Sequence, residues 1–242
     1  MIHFAGKLVL LDIEGTVSDL AFVHQVLFPY ARREVLGFLA LRAGDAVLAP
    51  VLDQMARDDG APGFAAWCPE PAGSLAAADW VASRAQVLMD ADAKVTGLKT
   101  LQGLIWDRGF REGVLRAPLF ADVPDRLNAW KRAGKSIRIY SSGSIAAQKL
   151  LFGFSVAGDL SPLLDGFFDT TTGPKRASES YQRIALESGV APEEILFLSD
   201  VVEELDAAAG AGLGTALVVR PGNRPATTQS HPRINSLDEI AT

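Results

Sequence analysis

The chain has 242 residues, 48% of them apolar, which allows one large domain or a core with a smaller appended one and excludes wholesale disorder. A formal net charge of −6 is spread evenly, with 9 basic and 12 acidic side chains in residues 17–115 and 14 and 17 in the remainder, so nothing resembles a basic, nucleic-acid-binding face. Cys68 is the only cysteine, which rules out an intramolecular disulfide and a cysteine zinc site, and the apolar run at 7–11 is too short for a signal-peptide core or a membrane span. The expectation is a soluble, cytoplasmic monomer with no membrane partner.

In chain order, "LVLLDI" (8–13) reads as a strand covered on both faces, because its hydrophobicity is continuous rather than alternating. Nearly one hundred residues without a good strand follow. "LFPYARREVLGFLAL" and "LAAADWVASRAQVLMDADA" read as amphipathic helices, and the Gly- and Pro-rich "GAPGFAAWCPEPAGS" (60–74) reads as a loop. Residues 17–115 are therefore expected to form a helical cap. Beyond it, "DVPDRLNAWKRAG" places Pro124 at a helix start and Gly134 past its end. "SIRIYSS" (136–142), "ILFLSD" (195–200) and "TALVVRP" (215–221) are strands, and "SESYQRIALESG" is a helix closed by Gly189. Alternating strands and helices predict an α/β fold, a Rossmann-like doubly wound parallel sheet built from 1–16 and 116–242, with the cap inserted after the first strand.

Ligands of such a sheet gather beyond the carboxyl ends of its strands, which turns the strand list into a site list. The first strand ends in Asp12 and Glu14, the strand at 136–142 in Ser141, Ser142 and Gly143 before a helix starting near Ser144, and the strand at 195–200 in Asp200. Asp12 and Asp200 are hard oxygen ligands of the kind Mg²⁺ takes one or two of, alongside water and phosphate oxygens. The Ser-Ser-Gly turn can offer hydroxyls and N–H groups to a phosphate, and Lys175 could neutralise both a phosphate and an attacking carboxylate. Taken singly, each residue is an ordinary cap, turn or surface group. Their ordered combination at strand ends points to phosphoryl transfer by positioning and charge neutralisation.

Other patterns carry no chemistry. "GAGLG" (210–214) follows a helix and precedes a strand, the reverse of a dinucleotide loop. No Walker A sequence or Gly-x-Ser-x-Gly elbow occurs, His3, His24 and His231 are scattered, and Cys68 lies in a Pro-rich loop.

"DIEGT", "IYSSGSIAAQKLLFG", "FFDTTTGPKRASESYQRIA" and "ILFLSD" resemble the four motifs of the haloacid dehalogenase superfamily. With "QGLIWDRGFREG" (102–113), they resemble its enolase-phosphatase (acireductone synthase) family over nearly the whole chain. That resemblance implies one Mg²⁺ per subunit held by Asp12, Asp200 and Glu14, the last through its backbone carbonyl. It implies that Ser141, Ser142 and Lys175 hold the substrate phosphate. The implied reaction belongs to methionine salvage: 5-methylthio-2,3-dioxopentyl phosphate is enolised and then dephosphorylated to the acireductone.

Most phosphatases of the superfamily have Asp where this chain has Glu14. Enolisation makes the leaving oxygen a conjugated enolate that needs protonation less, and a longer carboxylate could reach the C1 hydrogen as a base. Asp12 is then nucleophile by analogy, or a spectator ligand. Glu203 and Glu204 could serve metal-bound water or Lys175, or simply form the acidic first turn of a helix near 202–209. Phe22, Trp106, Arg108, Phe110 and Arg111 are candidates for closing the cap over the site. Two alternatives stay open: a phosphatase acting on another small phosphate ester, and a non-catalytic phospho-ligand sensor.

Overall fold

The computed structural model describes every residue except Thr227 and Thr242. The chain divides into two compact units, Met1–Phe22 with Arg116–Thr242, and Val23–Leu115. It opens with strands β1 (Ile2–His3) and β2 (Leu8–Leu11) and one helical turn, α1 (Leu20–Phe22). Helices α2 (Phe28–Leu41), α3 (Ala49–Asp58), α4 (Phe64–Trp67), α5 (Leu75–Asp90) and α6 (Thr96–Arg111) make up the second unit. The first unit resumes with α7 (Val123–Arg132), β3 (Ser136–Tyr140), α8 (Ile145–Gly153), β4 (Gly166–Phe168) and α9 (Ser178–Ser188). It finishes with β5 (Ile195–Ser199), α10 (Val202–Gly210), β6 (Gly214–Val218), β7 (Arg233–Ile234) and β8 (Ile240–Ala241).

Six strands form one sheet in the order β4-β3-β2-β5-β6-β7, parallel at every pairing, while β1 and β8 pair separately. Along the chain the order runs outward from β2 in one direction, then outward in the other. That doubly wound arrangement leaves a crevice at the carboxyl end of β2, between the two directions. Leu8 of β2 lies opposite both Ser136 and Ile195, so β3, β2 and β5 start level, β3 and β5 run one residue past β2, and all three deliver their next residues to one edge. Every residue of β2 and β5 is buried, because helices cover the sheet and leave no strand face to water. Helix α7 packs on β3, α8 on β4, and α10 on β5 and β6. Leu8, Leu10, Tyr140, Tyr181, Ile184, Phe197 and Leu205 form part of one core cluster, each fully buried large apolar side chain contributing about 1.5–3 kcal/mol.

The strands expected at 8–13, 136–142, 195–200 and 215–221 are all present and one or two residues shorter than those spans, the last beginning one residue earlier, at Gly214. The edge strands β4 and β7 have three and two residues, too few to leave a pattern in the sequence. The 60–74 loop contains a short helix, α4, whose first N–H donates to Asp53 Oδ1 at 2.8 Å; a side chain eleven residues away supplies what the local sequence lacks. Residues 17–22 group with the sheet rather than with the helical unit. Ser18 Oγ donates to the Pro118 carbonyl at 2.7 Å, and the Phe120 N–H donates to the Val17 carbonyl at 3.0 Å.

Within the helical unit, α2 packs on α5 and α6, and α3 on α6 and α4. Trp106 Nε1 donates to the Leu27 carbonyl at 2.8 Å, at the end of a π-helical turn over Val23–Leu27. Phe110 is buried, and Arg108 and Arg111 make i,i+4 ion pairs with Glu112 and Asp107. Phe22 lies buried in the first unit. Among the described residues, no helix is long and apolar enough to cross a membrane.

Candidate active site

Asp12 follows β2 directly, and its N–H continues the ladder by donating to the Leu198 carbonyl at 3.0 Å. The side chain emerges at the sheet's ligand edge and is only 5% exposed. Lys175, from the loop before α9, donates from Nζ to Asp12 Oδ1 at 2.6 Å and stands at the same distance from Glu204 Oε2. Both carboxylates hold the ammonium far above the ordinary lysine range, although burial alone would push it down. Glu204 is in turn hydrogen-bonded by Ser199 Oγ at 3.1 Å. A buried cation between two carboxylates, from three separate elements, costs desolvation that only such close pairing offsets.

Lys175 is held in place by aromatic residues of the core. Tyr181 OH donates to its carbonyl at 2.7 Å, Tyr140 OH donates to the Gly173 carbonyl at 2.9 Å, and Nζ lies 5.7 Å over the Tyr140 ring. Burial pushes both phenols upward, so both remain hydroxyl donors.

Asp200 follows β5, and its carboxyl is pushed up to about 7 by burial first, then by the charges of Asp12 and Glu204. The backbone turn after Asp12 makes room for it. Gly15 has φ of +75°, and a Cβ there would sit 2.4 Å from Asp200 Oδ2, so a side chain fails on both backbone and space. Glu14 is half-buried in that turn and bridges to Ser18 through the backbone.

Ser141 is buried just past β3, where its Oγ accepts from the Gly143 N–H at 3.3 Å, whereas Ser142 is exposed at the same edge. Ser144 caps α8 by accepting from the Ala147 N–H at 3.3 Å. Two residues the sequence did not mark support this loop. Asp169 accepts from the Ile145 N–H at 3.2 Å, and Gln148 Nε2 donates to the Gly143 and Phe168 carbonyls at 2.8 and 2.9 Å. Neither pattern has a sequence signal, since both depend on β4 running beside β3. The two readings of Glu203 and Glu204 combine. Both open α10, but Glu203 is exposed and Glu204 reaches Lys175.

One ammonium thus pairs with Asp12 and Glu204, and Asp200 adds a third carboxyl whose charge those two carboxylates disfavour, so the site as it stands is short of positive charge in the way a divalent cation would relieve. Among the described residues, no three His, Cys, Asp or Glu side chains converge as a metal cage. Asp12 and Asp200 would offer two carboxylate oxygens, a hard donor set that fits Mg²⁺ rather than zinc or a closed calcium site.

His231 lies between Thr215 Oγ1 at 2.8 Å and Asp206 Oδ1 at 2.9 Å, with no serine and no second histidine in the arrangement among the described residues. Thr215 lies at the start of β6, at the opposite edge of the sheet from Asp12 and Asp200.

The family description haloacid dehalogenase-like hydrolase matches residues 7–212. The chain is 48% identical over 233 residues to a protein of Synechococcus elongatus named enolase-phosphatase E1, covering 96% of each chain. It is 44% identical over 235 residues to the enolase-phosphatase E1 of Serratia proteamaculans, covering 97% of this chain and 96% of that one. Among solved structures, the UTR4 protein of Saccharomyces cerevisiae superposes with a TM-score of 0.80 at 34% identity, covering 96% of this chain and 98% of that one.

Proposed function

The chain belongs to the haloacid dehalogenase-like hydrolases, and from that premise we propose that it is the Mg²⁺-dependent enolase-phosphatase of methionine salvage, acting on 5-methylthio-2,3-dioxopentyl phosphate. The observation that carries this reading is near-full-length similarity to enolase-phosphatases, joined to an intact Asp12–Lys175–Glu204 cluster. A bare phospho-ligand sensor has no use for a buried lysine spent on a strand-end carboxylate.

In this reading the substrate phosphate is held by the Lys175 ammonium and by Ser141 and Ser142. Mg²⁺, held by Asp12, Asp200 and the Glu14 carbonyl, would supply charge neutralisation for the phosphoryl oxygens. The Glu14 carboxylate takes the C1 proton next to the C2 carbonyl and passes it to the C2 oxygen, which leaves the enol phosphate and restores the Glu14 carboxylate. Asp12 then attacks phosphorus. The bond from phosphorus to the C1 oxygen breaks, and the electron pair leaves with a conjugated enolate rather than an alkoxide. Water hydrolyses the aspartyl-phosphate and regenerates the carboxylate. Lys175 holds the Asp12 carboxylate in place through Oδ1, and Glu204 keeps Lys175 aimed.

Residues 23–115 act as the cap that selects substrate, and the enzyme works as a cytoplasmic monomer. Oxygen-18 incorporation into Asp12 in a single turnover tests the covalent step; no label there removes it. A stopped-flow ultraviolet assay of Glu14→Gln tests the base, and intact enolisation would move that role elsewhere.

A further inference from the structure

The turn that carries Glu14 is built so that its N–H groups face inward. The N–H groups of Thr16, Val17 and Ser18 all donate to the Ile13 carbonyl, at 3.2, 2.9 and 3.0 Å, and the Gly15 N–H donates to the Ser18 carbonyl at 2.8 Å. The Gly15, Thr16 and Val17 carbonyls therefore need donors from outside the turn. Val17 takes the Phe120 N–H. The other two are met by side chains from "RPGN" (220–223), the turn after β6, which has no role in the chemistry above. Asn223 Nδ2 donates to the Gly15 carbonyl at 2.9 Å, and Arg220 Nε donates to the Thr16 carbonyl at 3.1 Å.

Both donors are themselves anchored. Asn223 Nδ2 also reaches the Val218 carbonyl at 3.3 Å, at the end of β6. Arg220 is 7% exposed, lies 4.5 Å over the Phe120 ring, donates from Nη1 to the Asn235 carbonyl at 3.2 Å, and pairs through Nη2 with Asp122 Oδ2 at 2.9 Å. That Asp122 oxygen also accepts from Ser236 Oγ at 2.9 Å and the Leu237 N–H at 2.6 Å. The clamp ties the Gly15–Thr16 turn to β6, to the residue preceding α7 and to the C-terminal segment. Asp12 does not depend on it, because the Leu198 carbonyl and Lys175 hold that residue in place.

We infer that Arg220 and Asn223 are positioning residues that fix the backbone of the turn, and through it the Glu14 carboxylate for the enolisation step, while the effect on the Glu14 carbonyl is confined to the Mg²⁺ requirement and vanishes at saturating metal. The inference rests on the enolase-phosphatase reading for the identity of the step. A guanidinium fork can serve Thr16, Asn235 and Asp122 together, whereas an ammonium cannot. Arg220→Lys therefore keeps the buried charge opposite Asp122 and loosens the turn. Asn223→Ala, at a half-buried surface turn, removes the second donor without leaving a buried charge.

Three readouts test this at saturating Mg²⁺ on both variants and the unaltered enzyme. The first is solvent deuterium exchange at C1 of the non-hydrolysable phosphonate analogue of the diketone. The second is phosphate release from p-nitrophenyl phosphate, which needs no enolisation. The third is amide hydrogen exchange across residues 14–18. Misplacing a catalytic group by about 1 Å costs on the order of a hundredfold, so C1 exchange should fall about tenfold to a hundredfold. Release from the aryl ester should need more Mg²⁺, because the Glu14 carbonyl is a proposed ligand, but at saturation should stay within about twofold, and exchange at 14–18 should rise while that of β2 and β5 does not. Equal losses in both reactions, or unchanged exchange at 14–18, overturn the inference. Absence of C1 exchange in the unaltered enzyme would instead overturn the enolase reading, and the amide readout would still decide whether the clamp holds the turn.

Discussion

Lys175→Met replaces an ammonium 2.6 Å from two carboxylates by an apolar side chain of similar length. At an effective dielectric of about 20, each contact is worth roughly 6 kcal/mol of Coulomb attraction, most of it offset by desolvation. Orphaning a buried ion pair costs about 3–5 kcal/mol net, which is the loss expected at pH 8. The cost has a pH signature. Burial already holds the Glu204 carboxyl above its ordinary value, against the pull of Lys175, and removing the ammonium pushes it higher. A carboxyl raised in the folded state binds more protons folded than unfolded, so stability falls as pH rises from the unfolded value towards the folded one. The deficit of the variant should therefore be largest near pH 8 and shrink towards pH 5. Urea unfolding at pH 5, 6, 7 and 8 without added metal measures this. A loss below about 1 kcal/mol at pH 8, or a deficit that grows on acidification, would refute the assignment of Lys175 as the cluster's buried counter-charge.

Gly15→Ala should cost about 1–2 kcal/mol from its left-handed backbone, and should abolish most Mg²⁺-dependent phosphate release because the new methyl displaces Asp200; titration of Mg²⁺ against activity reads the weakened affinity. Asp122→Asn should destabilise by about 3–5 kcal/mol at neutral pH by orphaning Arg220. Burial raises the Asp122 carboxyl, but Arg220, the Leu237 N–H and Ser236 together hold it below its ordinary value. Its contribution is accordingly present above about pH 4 and lost on further acidification, so the two proteins should converge in acid denaturation. Chelation with EDTA should stop phosphate release, and added Mg²⁺ should restore it.

What could be read from sequence was what local patterns encode. The buried runs at 8–11, 136–140 and 195–199 needed only continuous hydrophobicity, and the strand-end rule then placed Asp12, Ser141 and Asp200 at one edge. Lys175 was legible only as part of a combination, since its pairing with Asp12 spans 163 positions in the chain. Glu204 looked like helix-end decoration because an acidic first turn is common; its contact with Lys175 depends on α9 and α10 packing together. The Arg220 and Asn223 contacts join positions more than 200 residues apart and leave no periodicity or motif to find.

The central claim is that Glu14 and the Asp12–Lys175–Asp200 edge enolise and then dephosphorylate one substrate. It is tested most directly by mixing the protein with 5-methylthio-2,3-dioxopentyl phosphate and Mg²⁺ while following ultraviolet absorbance and free phosphate together. The account predicts an enol absorbance that rises before or with phosphate, both dependent on Mg²⁺. Phosphate released with no enol signal, at a rate matched by simple alkyl phosphates, would contradict it.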